Sequence, residues 1–423
     1  MGGRVCGRPT ASTMKTAMAD VAVLEVRLYG DPVGTLTRVS GDRILFAFNE
    51  SYIASPDRPV LGLGFKDTLG GLITDFAPTQ TRALPFFSNL LPEGRMRTYL
   101  AERAGVNPVR EFFLLWGLGK DLPGAITLTP ADGADWPRDV RNAGTDDSTG
   151  SDHEALRFSL AGVQLKFSAI EAARGGLTIP ANGVGGSWII KLPSLQFPGV
   201  PENEFSMMTL ARGVGINVPV VRLIDVREIG GLPGGLPRTA GQALVIERFD
   251  RIPGGSAIHI EDFAQVFGVY PEDKYRKASM RSIARVIASE GTDEDIAEFI
   301  RRVTFNTLIG NADMHLKNWS LIYLDRRRAS LAPAYDLLST IPYLPDQKAA
   351  LTVSRSKRFD EFSEDELSHL ADKARLPERL VLDTARETAA RFREQWRRER
   401  SNLPLDKNVI DAVEKHLQTV PIA

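Results

Sequence analysis

Asp313, Asn318 and Asp336 are the residues whose types and spacing can do chemistry. They lie in N-A-D-M-H-L-K-N-W-S-L-I-Y-L-D-R-R-R-A-S-L-A-P-A-Y-D, residues 311–336. A carboxylate is followed five positions later by an amide. An apolar segment (Trp319 to Leu324), a basic hairpin (Asp325 to Arg328) and a second carboxylate come next. Phosphoryl transfer needs that set. One carboxylate accepts or orients the nucleophile's proton, and an amide oxygen with a second carboxylate holds Mg²⁺ on the phosphates. Taken singly, Asp313 reads as a helix cap after Gly310 and Asp336 as a turn residue before Leu337. Neither reading explains the pair. His315 reads as a histidine packing the loop, because no second His or Cys lies near enough in sequence to complete a metal site. Lys317 is placed to neutralise a transferred phosphoryl group; the plainer reading is a solvated lysine.

Such a site needs cationic and backbone groups for the phosphates, and these should precede it. Lys191 closes Trp188-Ile-Ile-Lys, and a buried ammonium is costly without a partner. Glu202 and Glu204 open the next helix, and Glu204 is the expected partner. The alternative is an edge-strand lysine reaching solvent. Upstream, S-L-A-G-V-Q-L-K (Ser159 to Lys166) falls between strands, where backbone N–H groups around Gly162 and Val163 can cradle phosphates. With one glycine it is equally a plain hairpin turn. Val245 to Arg251, V-I-E-R-F-D-R, reads as a hinge. Phe249 would lie against an adenine ring, and Glu247 or Asp250 would take a ribose hydroxyl. A strand end with alternating charges is the local alternative.

The chain positions these residues in an orderly way. At 423 residues, with 43% hydrophobic and 25% charged residues, it is long enough for two or three cores. A net charge of -1 gives no global basic field for nucleic acid. The single cysteine, Cys6, excludes a disulfide framework and fits a reducing cytoplasm. No apolar run is long enough to span a bilayer. Residues 1–20 read as an N-terminal extension, with Met14 or Met18 as alternative starts. Residues 21–130 form a β-rich unit with helices, with strands expected at Val21 to Tyr29, Leu36 to Val39, Arg43 to Phe48 and Val60 to Phe65. Phe86, Phe87, Phe112, Phe113 and Trp116 read as helix core. Residues 131–154 are an acidic linker, 155–251 a β-rich ATP-binding lobe, and 252–423 a helical lobe carrying the catalytic loop. Helices are expected at Glu202 to Val214, Glu261 to Gly268, Met280 to Ser289 and Asp293 to Gly310, then over Glu364 to Lys373, Pro377 to Arg398 and Asp406 to Gln418.

The motifs together resemble the HipA family of type II toxin–antitoxin serine/threonine kinases, from about Val21 to about Pro404. The matching pieces are F-F-S-N-L-L-P-E-G (Phe86 to Gly94), D-L-P-G-A (Asp121 to Ala125), S-L-A-G-V-Q-L-K, I-I-K-L-P (Ile189 to Pro193), E-N-E-F (Glu202 to Phe205), I-E-R-F-D-R (Ile246 to Arg251), H-I-E-D-F-A-Q (His259 to Gln265), G-N-A-D-M-H-L-K-N (Gly310 to Asn318) and L-A-P-A-Y-D-L-L-S (Leu331 to Ser339). The resemblance implies an α+β, two-lobed kinase-like fold with an extra N-terminal subdomain. It implies ATP- and Mg²⁺-dependent phosphorylation of Ser or Thr. Asp313 would be the base, Asn318 and Asp336 the Mg²⁺ ligands, Lys191 the phosphate lysine, and Glu247 with Phe249 the adenine hinge. Ser159 matches the serine that the family autophosphorylates. Modification there would add about two negative charges beside the nucleotide and switch the enzyme off. The family's best-known target is an aminoacyl-tRNA synthetase. Its partner is a HipB-like helix-turn-helix antitoxin, through which operator DNA is bound. A longer Gly/Pro-rich hairpin at Gly230 to Gly241 and the longer acidic linker depart from the family pattern.

Two other functions use some of these parts. A small-molecule phosphotransferase also carries an Asp-x-x-x-x-Asn loop, but the hinge and the N-terminal subdomain speak against it. A catalytically idle corepressor held by an antitoxin is disfavoured because every catalytic group is present.

Overall fold

The computed structural model describes residues 22–131, 166–171, 177–179, 186–194, 196–232, 241–252, 256–344 and 348–423. Ser159, Gly162, Val163 and the acidic linker beyond residue 131 lie outside them, as does most of the Gly/Pro-rich hairpin.

Alternating apolar residues in Ala22–Leu28 (β1), Asp31–Val39 (β2) and Arg43–Phe48 (β3) bury one face and leave the other polar, as a period-2 strand must. With Thr79–Gln80 (β4) and Ile126–Pro130 (β5) they form a sheet ordered β4-β3-β2-β1-β5. Its core takes up Phe86, Phe87, Phe112 and Phe113 from the short helices Pro85–Ser88 and Glu111–Leu118. The strand expected at Val60 to Phe65 does not form. That segment ends in a 3-10 turn, Leu63–Phe65, whose first N–H is taken by the Glu261 carboxylate.

The second sheet positions Lys191. It comprises Lys166–Glu171 (β6), Leu177–Thr178 (β7), Trp188–Lys191 (β8), Val221–Asp225 (β9), Ile229–Gly230 (β10) and Gln242–Glu247 (β11), ordered β10-β7-β6-β8-β11-β9. Strand alternation splits β8 and β11 between two cores. Trp188, Ile190, Ala243 and Val245 face a small core shared with Met96, Tyr99 and Leu100 of helix Gly94–Ala104, a helix of the N-terminal subdomain. Ile189, Leu244 and Ile246 face the main core with Met207 and Met208 of helix Val200–Val214. Lys191 follows the same alternation onto this second face.

The region beyond Ile258 is not purely helical. His259–Asp262 (β12), Ser320–Tyr323 (β13) and Ser330–Leu331 (β14) make a third sheet, ordered β12-β13-β14. Glu261, expected to open a helix, is a strand residue. The helix begins at Phe263, capped by Asp262 and Gln265 in a reciprocal capping box. Helices Met280–Glu290, Asp293–Leu308, Glu364–Ala374, Glu378–Glu399 and Lys407–Leu417 complete this lobe around one large apolar core.

Glu261 fastens the third sheet to the N-terminal subdomain. It is fully buried, and its carboxylate accepts from the Leu63 N–H at 2.9 Å and from the Tyr323 hydroxyl. Burial pushes its pKa up from 4.5 to about 7. Between those values the folded chain holds a proton that the unfolded chain has lost, so this group's contribution to stability falls as pH rises. A shift of this size is worth roughly 3 kcal/mol. Glu261→Gln mimics the protonated form. Urea unfolding at pH 5 and pH 8 is expected to show the variant near wild type at the lower pH and about 3 kcal/mol more stable at the higher. An equal difference at both pH values would refute this assignment.

Candidate active site

The register of the second sheet sets two lysines side by side. Lys166 on β6 is directly opposite Lys191 on β8. Opposed residues of an antiparallel pair share a face, and like charges there repel unless an anion lies between them. Asp336 is that anion. Lys191 pairs with both Glu204 and Asp336, and Lys166 reaches the other Asp336 oxygen at 3.3 Å. Lys191 and Glu204 are nearly inaccessible, at 3% and 2% exposure. Burial alone would lower the Lys191 pKa, but Asp336 and Glu204 outweigh it and hold the ammonium charged. Burial would raise Asp336, yet Lys166 and Lys191 hold it well below the usual carboxylate range. Glu204 is raised by burial and then by Asp336, against the pull of Lys191.

Asp336 has φ +55°, a left-handed conformation that a non-glycine residue adopts at a cost. Its setting holds it there. Asn311 donates to the Asp336 carbonyl at 3.3 Å and to Asn306 Oδ1 at 2.7 Å, and its own oxygen accepts from the Asp313 N–H. One buried amide thus joins the loops bearing the two carboxylates. Gly310, at φ +65°, allows the turn after helix Asp293–Leu308; a Cβ there would come within 2.6 Å of Ile341.

Asp313 is half exposed, as a group meeting an outside substrate must be. Its Oδ1 accepts from the Tyr275 hydroxyl at 2.6 Å. Asn318 lies on the 3-10 turn Leu316–Asn318 and donates to the Asp313 carbonyl at 2.8 Å. The Asn318 side-chain oxygen has no hydrogen bond among the described residues. His315 is buried, edge-on to Tyr275, with Nε2 3.9 Å from Asp313. Burial drives its pKa down to about 4 against the pull of Asp313, so it is neutral near pH 7. Asn318 and Asp336 line one small pocket, Asn311 and Asn318 tie Asp313 to it, and Lys191 with Glu204 lies buried behind Asp336. The donor set suits a magnesium nucleotide: a carboxylate and an amide oxygen for the ion, two ammonium groups for the phosphates. Among the described residues there is no group of three or more His, Cys, Asp or Glu residues fit to hold a metal. Two protein ligands are a usual share for Mg²⁺, with substrate phosphates supplying others.

Residues 24–129 match the HipA N-terminal domain and residues 158–396 the HipA-like C-terminal domain. The chain belongs to the HipA family. It is 58% identical to Y4dM of Sinorhizobium fredii, a provisionally named kinase, over 96% of this chain and 98% of that one. It is 26% identical to the serine/threonine-protein kinase toxin HipA of Shewanella oneidensis, over 75% of this chain and 77% of that one. Its fold matches HipA in the Shewanella oneidensis complex of HipA, HipB and operator DNA with a TM-score of 0.70 at 24% identity, covering 94% and 95% of the two chains. The fold is therefore the α+β, kinase-like one expected of a HipA protein.

Two expected roles need correction. Asp250 is not available to a ribose. It is buried, and its carboxylate is taken by Arg248 at 2.8 and 2.9 Å, by Arg251 at 2.8 Å and by the Gly124 N–H at 2.9 Å. Arg248 and Arg251 also reach Asp121, so I-E-R-F-D-R clamps D-L-P-G-A of the N-terminal subdomain. Lys317 is neither solvated nor free for a phosphoryl group. Its ammonium is 2.9 Å from Glu93 and donates to the Asn89 carbonyl at 3.0 Å. Glu247 is exposed at the end of β11. The half-buried ring of Phe249 lies 5.9 Å from that of Tyr335, the neighbour of Asp336. Lys166, Tyr275 and Asn311 were not singled out from sequence. Lys166 was legible only as the last letter of its motif, and Tyr275 carried no local signal.

Proposed function

We propose that this HipA-family chain is an ATP- and Mg²⁺-dependent serine/threonine protein kinase that works in the cytoplasm as the toxin of a type II toxin–antitoxin module. The observation that carries this reading is the Asp336 carboxylate held between Lys191 and Lys166, with Asn311 joining its loop to the one that bears Asp313 and Asn318. Asp313 accepts the substrate hydroxyl's proton. Asn318 and Asp336 supply oxygens to Mg²⁺, which neutralises charge on the phosphates when bound. Lys191, fixed by Glu204, is positioned for the α and β phosphates, and the hinge at Glu247 to Phe249 receives the adenine. Ser159 is the self-modified residue, with Gly162 and Val163 in the covering loop. The expected partner is a HipB-like helix-turn-helix antitoxin that brings the complex to operator DNA. The Shewanella HipA complex supports this by homology. An aminoacyl-tRNA synthetase is the expected substrate class, giving arrest of translation.

The test uses protein freed of phosphate and incubated with γ-labelled ATP and Mg²⁺. Wild type is expected to label itself, with mass spectrometry placing the phosphate on Ser159. Ser159→Ala should lose that label and keep transferring phosphate to protein acceptors. Transfer to sugars or aminoglycosides with no protein labelled would favour a small-molecule phosphotransferase and sink the kinase reading.

A further inference from the structure

The catalytic base is anchored from outside both lobes. Glu93 ends the segment before helix Gly94–Ala104 in the N-terminal subdomain. One of its oxygens accepts from Lys274 Nζ at 2.8 Å, and the other lies 2.9 Å from Lys317 Nζ. Lys317 follows Asp313 by four residues in the catalytic loop. Lys274 directly precedes Tyr275, whose hydroxyl donates to Asp313 at 2.6 Å. The Lys274 carbonyl also accepts from the Leu316 N–H at 3.3 Å. The two segments that hold Asp313 thus converge on one carboxylate from a different subdomain. Asn89, four residues before Glu93, adds its carbonyl to Lys317 and its amide to the Val269 carbonyl.

The electrostatics fit a fixed anchor. Burial would raise the Glu93 pKa, but Lys317 and Lys274 bring it to about 2, so the carboxylate is ionised at any working pH. Asp262 stands 4.0 Å beyond Lys317 and adds a second, weaker attraction. A surface ion pair alone would contribute little. Here one anion bridges two cations on separate segments, both about 15% exposed.

We propose that Glu93 is a positioning residue for phosphoryl transfer, setting Asp313 through Lys317 and through Lys274 with Tyr275. The proposal rests on Asp313 being the base. It makes the N-terminal subdomain part of the catalytic apparatus, not only a surface for partners.

The test is Glu93→Gln in the full chain. Misplacing a catalytic group by about 1 Å can cost about 100-fold in rate. With saturating Mg·ATP and a protein acceptor, kcat is expected to fall about 10- to 100-fold while KM for ATP stays within about threefold. Lys317→Met should give a similar loss. The Glu93→Gln/Lys317→Met double variant should be little worse than either single one, because both remove the same tie. Hydrogen exchange supplies a readout without turnover. Peptides covering 270–277 and 311–318 should exchange faster in Glu93→Gln, and those of β8 and β11 should not change. A kcat within about threefold of wild type overturns the proposal, as does unchanged exchange in both peptides. If wild type itself transfers no phosphate, the kinase reading fails, and the exchange result alone decides whether Glu93 anchors the loop.

Discussion

Asp313→Asn is expected to lower phosphoryl transfer by about 10³-fold while leaving ATP affinity within a few-fold of wild type. The substitution keeps the shape of the side chain and its hydrogen bond with Tyr275. What it removes is the charge that draws the proton from the attacking hydroxyl. The proposed base role fits the geometry of Asp313 better than a nucleotide-holding one. Asp313 is half exposed, Tyr275 holds one of its oxygens, and Asn318 donates to its carbonyl. His315 is a poor substitute as base, because its nearest ring nitrogen is 3.9 Å from Asp313 and burial lowers its pKa to about 4. Single-turnover assays with labelled ATP separate chemistry from binding. A variant that transfers phosphate at more than about a tenth of the wild-type rate would remove Asp313 from the base role. A variant that instead fails to bind ATP would place it among the nucleotide ligands.

The parts legible in the sequence share one property: their geometry is local. An Asp and an Asn five residues apart need only one turn of chain to share a site, so Asp313 and Asn318 declare themselves. Lys191 is legible because an ammonium at the end of an apolar strand requires a partner, and the next helix begins with glutamates. β3 is read to the residue because Arg43 to Phe48 alternates cleanly. What escaped depends on distant register or docking. Lys166 becomes a site residue only because β6 lies antiparallel to β8 with these two lysines opposed. Asp250 looks like a ribose ligand until the Asp121 turn docks against the two arginines beside it. Glu93 and Tyr275 gain their roles only once the N-terminal subdomain meets the catalytic loop. The misread start of β12 has a local cause: Asp262 and Gln265 form a genuine helix-capping signal, and the three strand residues before it are too few to show alternation.

Lys191→Met is the other large effect, and it separates stability from catalysis. Removing the ammonium leaves Glu204 buried with no cation of its own and Asp336 with only Lys166. Breaking one partner out of a buried ion pair typically costs about 3–5 kcal/mol, because the remaining charge is left uncompensated. Glu204, already raised by burial and by Asp336, would then take up a proton in the folded state. Its unfolded carboxyl would not, so the variant's stability should fall as pH rises above the ordinary glutamate range. Adding Glu204→Gln removes that buried acid. The double variant is expected to regain most of the lost stability in urea unfolding and to lose the added pH dependence. Neither variant should regain activity, because Lys191, the cation proposed for the α and β phosphates, is absent from both. Turnover should stay at least about 100-fold below wild type. Recovery of turnover in the double variant would show that Lys191 holds the lobe together and does no work on the nucleotide. Loss of activity that persists in a restored fold would place its charge at the phosphates.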